Sequence, residues 1–387
     1  MRALNGLVVM EIALAVVLLT FAGLLTKSFA YLLHTNLGYR TDRLLTFRMP
    51  LPASRYKNDE AILRFCDRLL PQLAALPGVV SAAASESVPL GGTYSGTPVE
   101  IEGQTSHRDW AEVMTRSADV TPDYFRTMGI PLRAGRAFDA SDTAGAEPVA
   151  IVNQAFVRKL MPGQSPLGAR VRLDKEWQRI VGVVGDTRYN GPADTVEAEA
   201  YTPFAQNIWL EFVALRTAIP EEAVMSAARH VIRKMDPGLA ITEVRRMRES
   251  VDSATEMQRA MMALVAAFAA LTLGMATLGL GGVMAYAVSR RKREIGLRMA
   301  LGARRADVVR AILGNAGRLI LVGSAIGMLC AFAAARALES LLYGVRPHDP
   351  AIIVAAPVVL GAIALLACLA PVRRAASIEP MAALRQE

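Results

Sequence analysis

The stretch Ser289–Arg310, SRRKREIGLRMALGARRADVVR, lies between two long apolar runs and limits the fold more than any other part of the chain. Flanked in this way, it reads as a short loop between membrane helices. It carries Arg290, Arg291, Lys292, Arg293, Arg298, Arg304, Arg305 and Arg310 against Glu294 and Asp307. Short loops rich in Lys and Arg stay on the cytoplasmic face. The expected orientation follows: both termini inside and the large polar segment outside, with Arg2, Arg373 and Arg374 agreeing. Within the loop, Glu294–Leu301 can form a short helix with Ile295 and Met299 on one face at i, i+4 spacing. Gly302 then breaks it, and the Ala303–Asp307 region starts the next helix. A short helix lying across the membrane face can dock into a groove on a cytoplasmic partner. The plainer reading is a basic loop that sets topology and touches lipid headgroups, since charge runs are usually just solvated.

The chain is 53% hydrophobic with a mean hydropathy of +0.30, yet 20% of its residues are charged. That balance calls for membrane helices joined to a polar domain. The expected fold class is α-helical membrane protein, with four transmembrane helices and a large extracytoplasmic α/β domain. Residues 1–33 hold the first helix, 34–256 the polar domain, and 257–387 three more helices at about 260–288, 311–338 and 351–371 around the loop 289–310. In the first run, Glu11 and Lys27 are 16 residues apart, about 24 Å along a helix. Each can therefore snorkel to an opposite interface. A cleaved signal peptide is the other reading, because Ser28-Phe29-Ala30 resembles a cleavage site. The thin basic start and the charges at Glu11 and Lys27 favour an uncleaved helix.

The net charge of +8 is concentrated beside apolar helices, where topology accounts for it, and no nucleic-acid-binding motif is present. Cys66 stands alone in the polar domain, Cys330 and Cys368 lie in apolar runs, and the four histidines are scattered. No disulfide within the polar domain and no metal site are expected.

The polar domain reads as mixed α/β. A strand at Leu44–Met49, a helix capped by Asp59 and running through Leu76, and a strand at Val79–Ala84 form one unit. Pro71 would kink or shorten that helix. A strand at Phe212–Arg216, a helix from Pro220 to Met235 and a strand at Ala240–Val244 form a second unit. Two such units from opposite ends of one domain can pack into one layered sheet. Between them, about 95–203, lies an inserted submodule. It has strands at Val99–Glu102, Pro148–Val152, Val171–Leu173 and Ile180–Val184, and helices at Pro122–Met128 and Asn153–Leu160.

No G-x-x-x-x-G-K-[ST] run occurs, so these residues hold no P-loop for ATP phosphates. No nucleophile elbow or catalytic constellation is present, and no cofactor is expected. Gly182-Val-Val-Gly185-Asp186 reads as a turn at a strand end. Glu11 invites a proton-relay reading, but it lacks an intramembrane partner in the sequence. Small residues at helix-packing spacing carry more information: Gly323 and Gly327 in one membrane run, and Ala266, Ala270 and Gly274 in another. These faces suit contacts within one chain or between two.

Arg293-Glu294-Ile295-Gly296-Leu297-Arg298-Met299-Ala300-Leu301-Gly302-Ala303 resembles the signature loop of FtsX-like and MacB-like ABC transporter permeases. Pro371–Glu387, Leu341–Pro350 and Ile180–Asp186 resemble further parts of the same family in the family's order. The resemblance implies a MacB-like periplasmic core domain and an FtsX-like permease domain. It also implies a coupling helix in which Arg293, Glu294, Ile295, Gly296, Arg298, Met299, Leu301 and Gly302 meet a cytoplasmic ABC ATP-binding subunit. The implied partners are that subunit, a second permease unit, the lipid bilayer and periplasmic or outer-membrane components. The implied place is the bacterial inner membrane, in an efflux or export system that works by mechanotransmission. The chain looks most like one half of an acidobacterial duplicated orphan permease: a single unit without MacB's fused ATPase.

Two other function classes compete with the permease reading. A passive membrane-anchored binding or scaffold protein has no need of a cytoplasmic helix–glycine–helix element. A membrane-tethered enzyme needs a nucleophile or metal constellation that the sequence lacks. The resemblance decides for the permease.

Overall fold

The computed structural model describes residues 2–92, 94–103, 114–290 and 305–376. The chain divides into two compact units, Thr35–Glu256 and a second made of Met1–His34 with Met257–Glu387.

In the first unit, β1 (Leu44–Arg48), α2 (Asp59–Ala74) and β2 (Val79–Ser85) follow α1 (Arg2–His34) of the other unit. Next come β3 (Ser95–Ile101), β4 (Met114–Val120), α3 (Tyr124–Met128), β5 (Leu132–Gly135), β6 (Val149–Asn153) and α4 (Gln154–Leu160). After them come β7 (Arg170–Leu173), β8 (Glu176–Val184), β9 (Glu199–Pro203), β10 (Phe212–Thr217), α5 (Glu221–Met235), β11 (Thr242–Arg246) and α6 (Met247–Ala254).

The strands join in the order β11-β1-β10-β2-β4-β3-β7-β8-β6-β9, with β5 on β8 and a further parallel pairing of β4 with β9. That last pairing closes β4-β3-β7-β8-β6-β9 into a ring. The open half, β11-β1-β10-β2, comes from the two ends of the domain. One register pair, Ser85↔Val120, joins the halves through β2 and β4.

Strand alternation loads both faces of the open half. Leu44, Ala83, Phe212 and Ala214 enter one core with Tyr124, Met128 and Met247. Leu45, Phe47, Ala82, Ala84, Val213 and Leu215 enter the other with α2 and α5. Burial on both faces explains why β10 opens with the apolar run Phe212–Leu215 without a polar alternate.

The α2 cap lies one residue before the expected one. The Asn58 side chain, not that of Asp59, accepts from Ala61 N at 3.0 Å, which frees Asp59 and Glu60 for the first turn, where acidic charge meets the helix dipole. The helix also runs through Pro71 to Ala74. It still buries Phe65, Cys66, Leu69 and Leu73, so packing outweighs the proline's local cost.

The second unit contains α1, α7 (Glu256–Arg290), α8 (Arg305–Ala334), a 3-10 turn (Ala335–Leu341) and α9 (Pro350–Ala376). Each of these four α-helices is long and apolar enough to cross a membrane. Large apolar residues such as Met10, Leu278, Leu321, Leu329 and Leu366 point outward, while Gly323, Ala316, Ala331 and Ala364 are buried. This distribution is the reverse of a water-soluble bundle and suits a lipid solvent.

Candidate functional site: the membrane-helix bundle

Close packing of α1 on α8 organises the bundle. A Cβ on Gly323 would lie 2.6 Å from Ile12 Cγ2 and 3.0 Å from Val9 O. A Cβ on Gly327 would lie 2.7 Å from Ala13 O and 2.8 Å from Val16 Cβ. Only glycine permits the two backbones to approach this far. Ile12, Ala15 and Val16 fill the opposing surface, and Leu360 and Ala364 of α9 complete the core. Thr20, buried in the same helix, satisfies its hydroxyl on Val16 O at 2.8 Å.

The α7 helix joins this core through Ala276, Leu280 and Met284. Its small residues Ala266, Ala270 and Gly274 are exposed, and a Cβ on Gly274 would meet nothing within 4 Å. The two small-residue faces therefore differ: Gly323 and Gly327 are used inside the chain, and Ala266, Ala270 and Gly274 are not. Beside the α7 contact, Glu11 turns its carboxylate toward Gly279. Its Oε2 is buried without a hydrogen-bond partner among the described residues and would sit 2.4 Å from a Cβ at that glycine.

At the C-terminal end of α1, a polar fastening joins the loop between α8 and α9. Lys27 Nζ pairs with Asp349 Oδ2. Ser28 Oγ accepts from Tyr343 N at 2.7 Å and donates to Tyr343 O at 3.4 Å. The Tyr31 ring lies where a side chain on Gly344 would be, 2.4 Å from the Cβ position, and Gly344 has a φ of +65°. Asp349 also caps α9 by accepting from Ala351 N at 3.0 Å. The sequence marks Lys27 as a snorkelling residue and places Asp349 in a stretch, Leu341–Pro350, noted for its family resemblance. Nothing in their spacing paired positions 322 residues apart.

The expected coupling residues Arg293, Glu294, Ile295, Gly296, Arg298, Met299, Leu301 and Gly302 lie outside the described residues.

The α/β domain has its own buried polar cluster. Arg116 on β4 stands opposite Glu199 on β9 and bonds to it at 3.2 Å. The guanidinium also reaches Glu197 and lies 4.5 and 4.6 Å from the Tyr94 and Tyr189 ring centres. Burial pushes the Glu199 carboxyl up, opposed by hydrogen bonds from Thr187 and Tyr201 and by the Arg116 charge. Nearby, burial raises Asp119 to about 7, although Thr202 and Asn207 both donate to it. Burial likewise pushes the Cys66 thiol up to about 12, which keeps it an unreactive core residue. Among the described residues, no group of three His, Cys, Asp or Glu side chains is placed to hold a metal. Asp186, in the stretch read as a turn, accepts from Ala155 N at 2.6 Å and pairs with Arg158. It anchors the start of α4.

Four spanning helices with a folded α/β domain between the first and second define a polytopic membrane protein whose large domain lies outside the bilayer. Residues 6–247 match the MacB-like periplasmic core domain, and residues 266–380 match the FtsX-like permease C-terminal domain. The chain belongs to the MacB-like ABC transporter permease family.

The macrolide export ATP-binding/permease protein MacB of Marinobacter nauticus is 28% identical over 315 residues, covering 76% of this chain and 47% of that protein. The MacB protein of Agrobacterium fabrum is 26% identical over 312 residues, with the same coverage. The chain thus spans about half the length of the curated relatives it matches. The periplasmic region of MacB from Actinobacillus actinomycetemcomitans aligns with a TM-score of 0.39 at 13% identity, covering 58% of this chain and 97% of that one.

Proposed function

We propose that the chain is the permease subunit of an ABC-type export system. ATP hydrolysis by an ATPase lying outside these 387 residues is coupled to movement of the extracytoplasmic domain. The observation that carries this reading is the pair of family matches, periplasmic core followed by permease C-terminus, on one chain whose residues include no P-loop. The curated relatives bear the words macrolide export and ATP-binding in their names, which supports efflux as the process served. In this reading the chain sits in the bacterial inner membrane with both termini and residues 289–310 cytoplasmic. Residues 293–302 form the coupling element. Ile295 and Met299 enter an apolar groove of the ATPase, and Arg293 and Arg298 pair with acidic groups at its rim.

Co-purification of the full chain with its ATPase tests the proposal. Ile295→Asp places a carboxylate in an apolar contact, which costs several kcal/mol if it stays charged. Each ~1.4 kcal/mol weakens binding about tenfold. The variant is expected to insert and express like wild type yet fail to retain or stimulate the ATPase. If Ile295→Asp and Met299→Asp both bind the ATPase as wild type does, the loop only sets topology. The passive-anchor reading then replaces this one.

A further inference from the structure

The bundle is fastened unevenly. Near the middle of the membrane span, α1 lies against α8 at the two glycines, and α9 closes on both through Leu360 and Ala364. At its C-terminal end α1 is tied to the α8–α9 loop by a charge pair, two hydrogen bonds to the backbone of one residue and a ring seated on a glycine. The loop itself is braced. The His348 ring lies 4.1 Å from that of Phe332, and His348 Nε2 is 3.2 Å from Phe332 O. By contrast, α7 contributes Ala276, Leu280 and Met284 to the core, and its Gly279 faces a carboxylate oxygen that has no hydrogen-bond partner among the described residues. An unpaired buried oxygen against a smooth glycine surface holds nothing in register.

We propose that Lys27–Asp349 and Ser28–Tyr343 clasp α1, α8 and α9 into one block, and that α7 is the helix that shifts against this block. The clasp stands on the contacts alone, whereas the shift of α7 during turnover rests on the permease reading. Lys27 and Asp349 are positioning residues: they keep α1 in step with the α8–α9 pair. The contact of Glu11 with Gly279 is the surface along which α7 moves.

The test uses the full chain in lipid nanodiscs with Cys66, Cys330 and Cys368 replaced by Ala. Spin labels are placed at Leu33→Cys on α1 and Val354→Cys on α9, both of them exposed positions. A second pair places the α7 label at Met261→Cys. With the clasp intact, the α1–α9 pair gives one narrow distance. Lys27→Asp broadens it. Asp349→Asn combined with Ser28→Ala also broadens it while keeping an acceptor to cap α9. Lys27→Asp with Asp349→Lys narrows it again. A narrow wild-type distance in both the Lys27→Asp and the Asp349→Asn/Ser28→Ala proteins overturns the clasp.

With the ATPase bound, ATP trapping is expected to change the α7–α9 distance and leave α1–α9 unchanged. Equal changes in both overturn the division into block and moving helix. If ATP changes neither distance while the substitutions still break the α1–α9 distance, the clasp stands and the permease reading fails.

Discussion

Asp119 is the side chain whose setting makes the plainest demand on solution behaviour. It lies on β4 next to the single register pair that links the two halves of the sheet, and Glu86 N donates to its backbone oxygen at 3.0 Å. Its carboxyl is raised from 3.8 to about 7, first by burial and then by the Glu86 charge, while the bonds from Thr202 and Asn207 pull it down. A group raised on folding adds stability below its unfolded pKa, and that stability is lost as pH rises through the folded value. Asp119 therefore costs the domain stability between about pH 4 and pH 7 and above. Asp119→Asn keeps the oxygen that Thr202 and Asn207 use and removes the charge. The variant is expected to be more stable than wild type at pH 8, by roughly 1–3 kcal/mol, and so to unfold at a higher temperature, with little difference at pH 4. Thermal unfolding of both proteins across that range checks it, and parallel curves at every pH would refute it.

At the scale of helices, backbone approach decides which substitutions the bundle accepts. Gly327→Val drives a side chain into Ala13 O and Val16, so α1 and α8 must separate, at a cost of about 1–3 kcal/mol. Gly274→Val meets open space and is expected to leave the stability of the single chain unchanged. Melting of the two variants in detergent distinguishes them.

The sequence was legible here because membrane helices announce themselves by length and apolarity; small residues at four-residue spacing were a weaker guide, since Gly323 and Gly327 lie at a close approach within the chain and Ala266, Ala270 and Gly274 do not. The polar domain was harder. The strand–helix–strand units at its two ends followed hydrophobic periodicity closely, with Asn58 in place of Asp59 as the cap. Three strands went unread: Met114–Val120, Leu132–Gly135 and Glu199–Pro203. The first and third carry Arg116, Asp119 and Glu199. Charged residues break the apolar pattern of a strand, and their burial depends on partners that only the closed ring brings together. The α1 clasp was illegible for the same reason, since ion pairs between distant segments leave no local periodicity.

For the whole molecule, we propose the exposed Ala266, Ala270 and Gly274 as the close-packing surface for a second chain. We expect two permease units for each pair of ATPase subunits, read by native mass measurement. Ala270→Leu with Gly274→Leu should shift the mass to one unit without altering the fold; an unchanged pair would move the contact elsewhere. The proposed orientation is checked by labelling Ala303→Cys from outside intact cells, where no reaction is expected.

The pairing of β1 with β11 has a mechanical consequence for the α/β domain. Leu45, the second residue of β1, is paired with Arg246, where β11 ends, so both leads of the α/β domain depart from the same end of one antiparallel ladder. A tension that spreads those leads would unzip the ladder rung by rung from Leu45–Arg246, the loading direction that hydrogen-bonded strands resist least. A pull that carries both leads together strains no rung. Residues 35–43 and α6 add little slack to either lead, since Leu37, Tyr39 and Met247 are buried in the domain core and Arg188 N donates to Leu37 O at 2.9 Å.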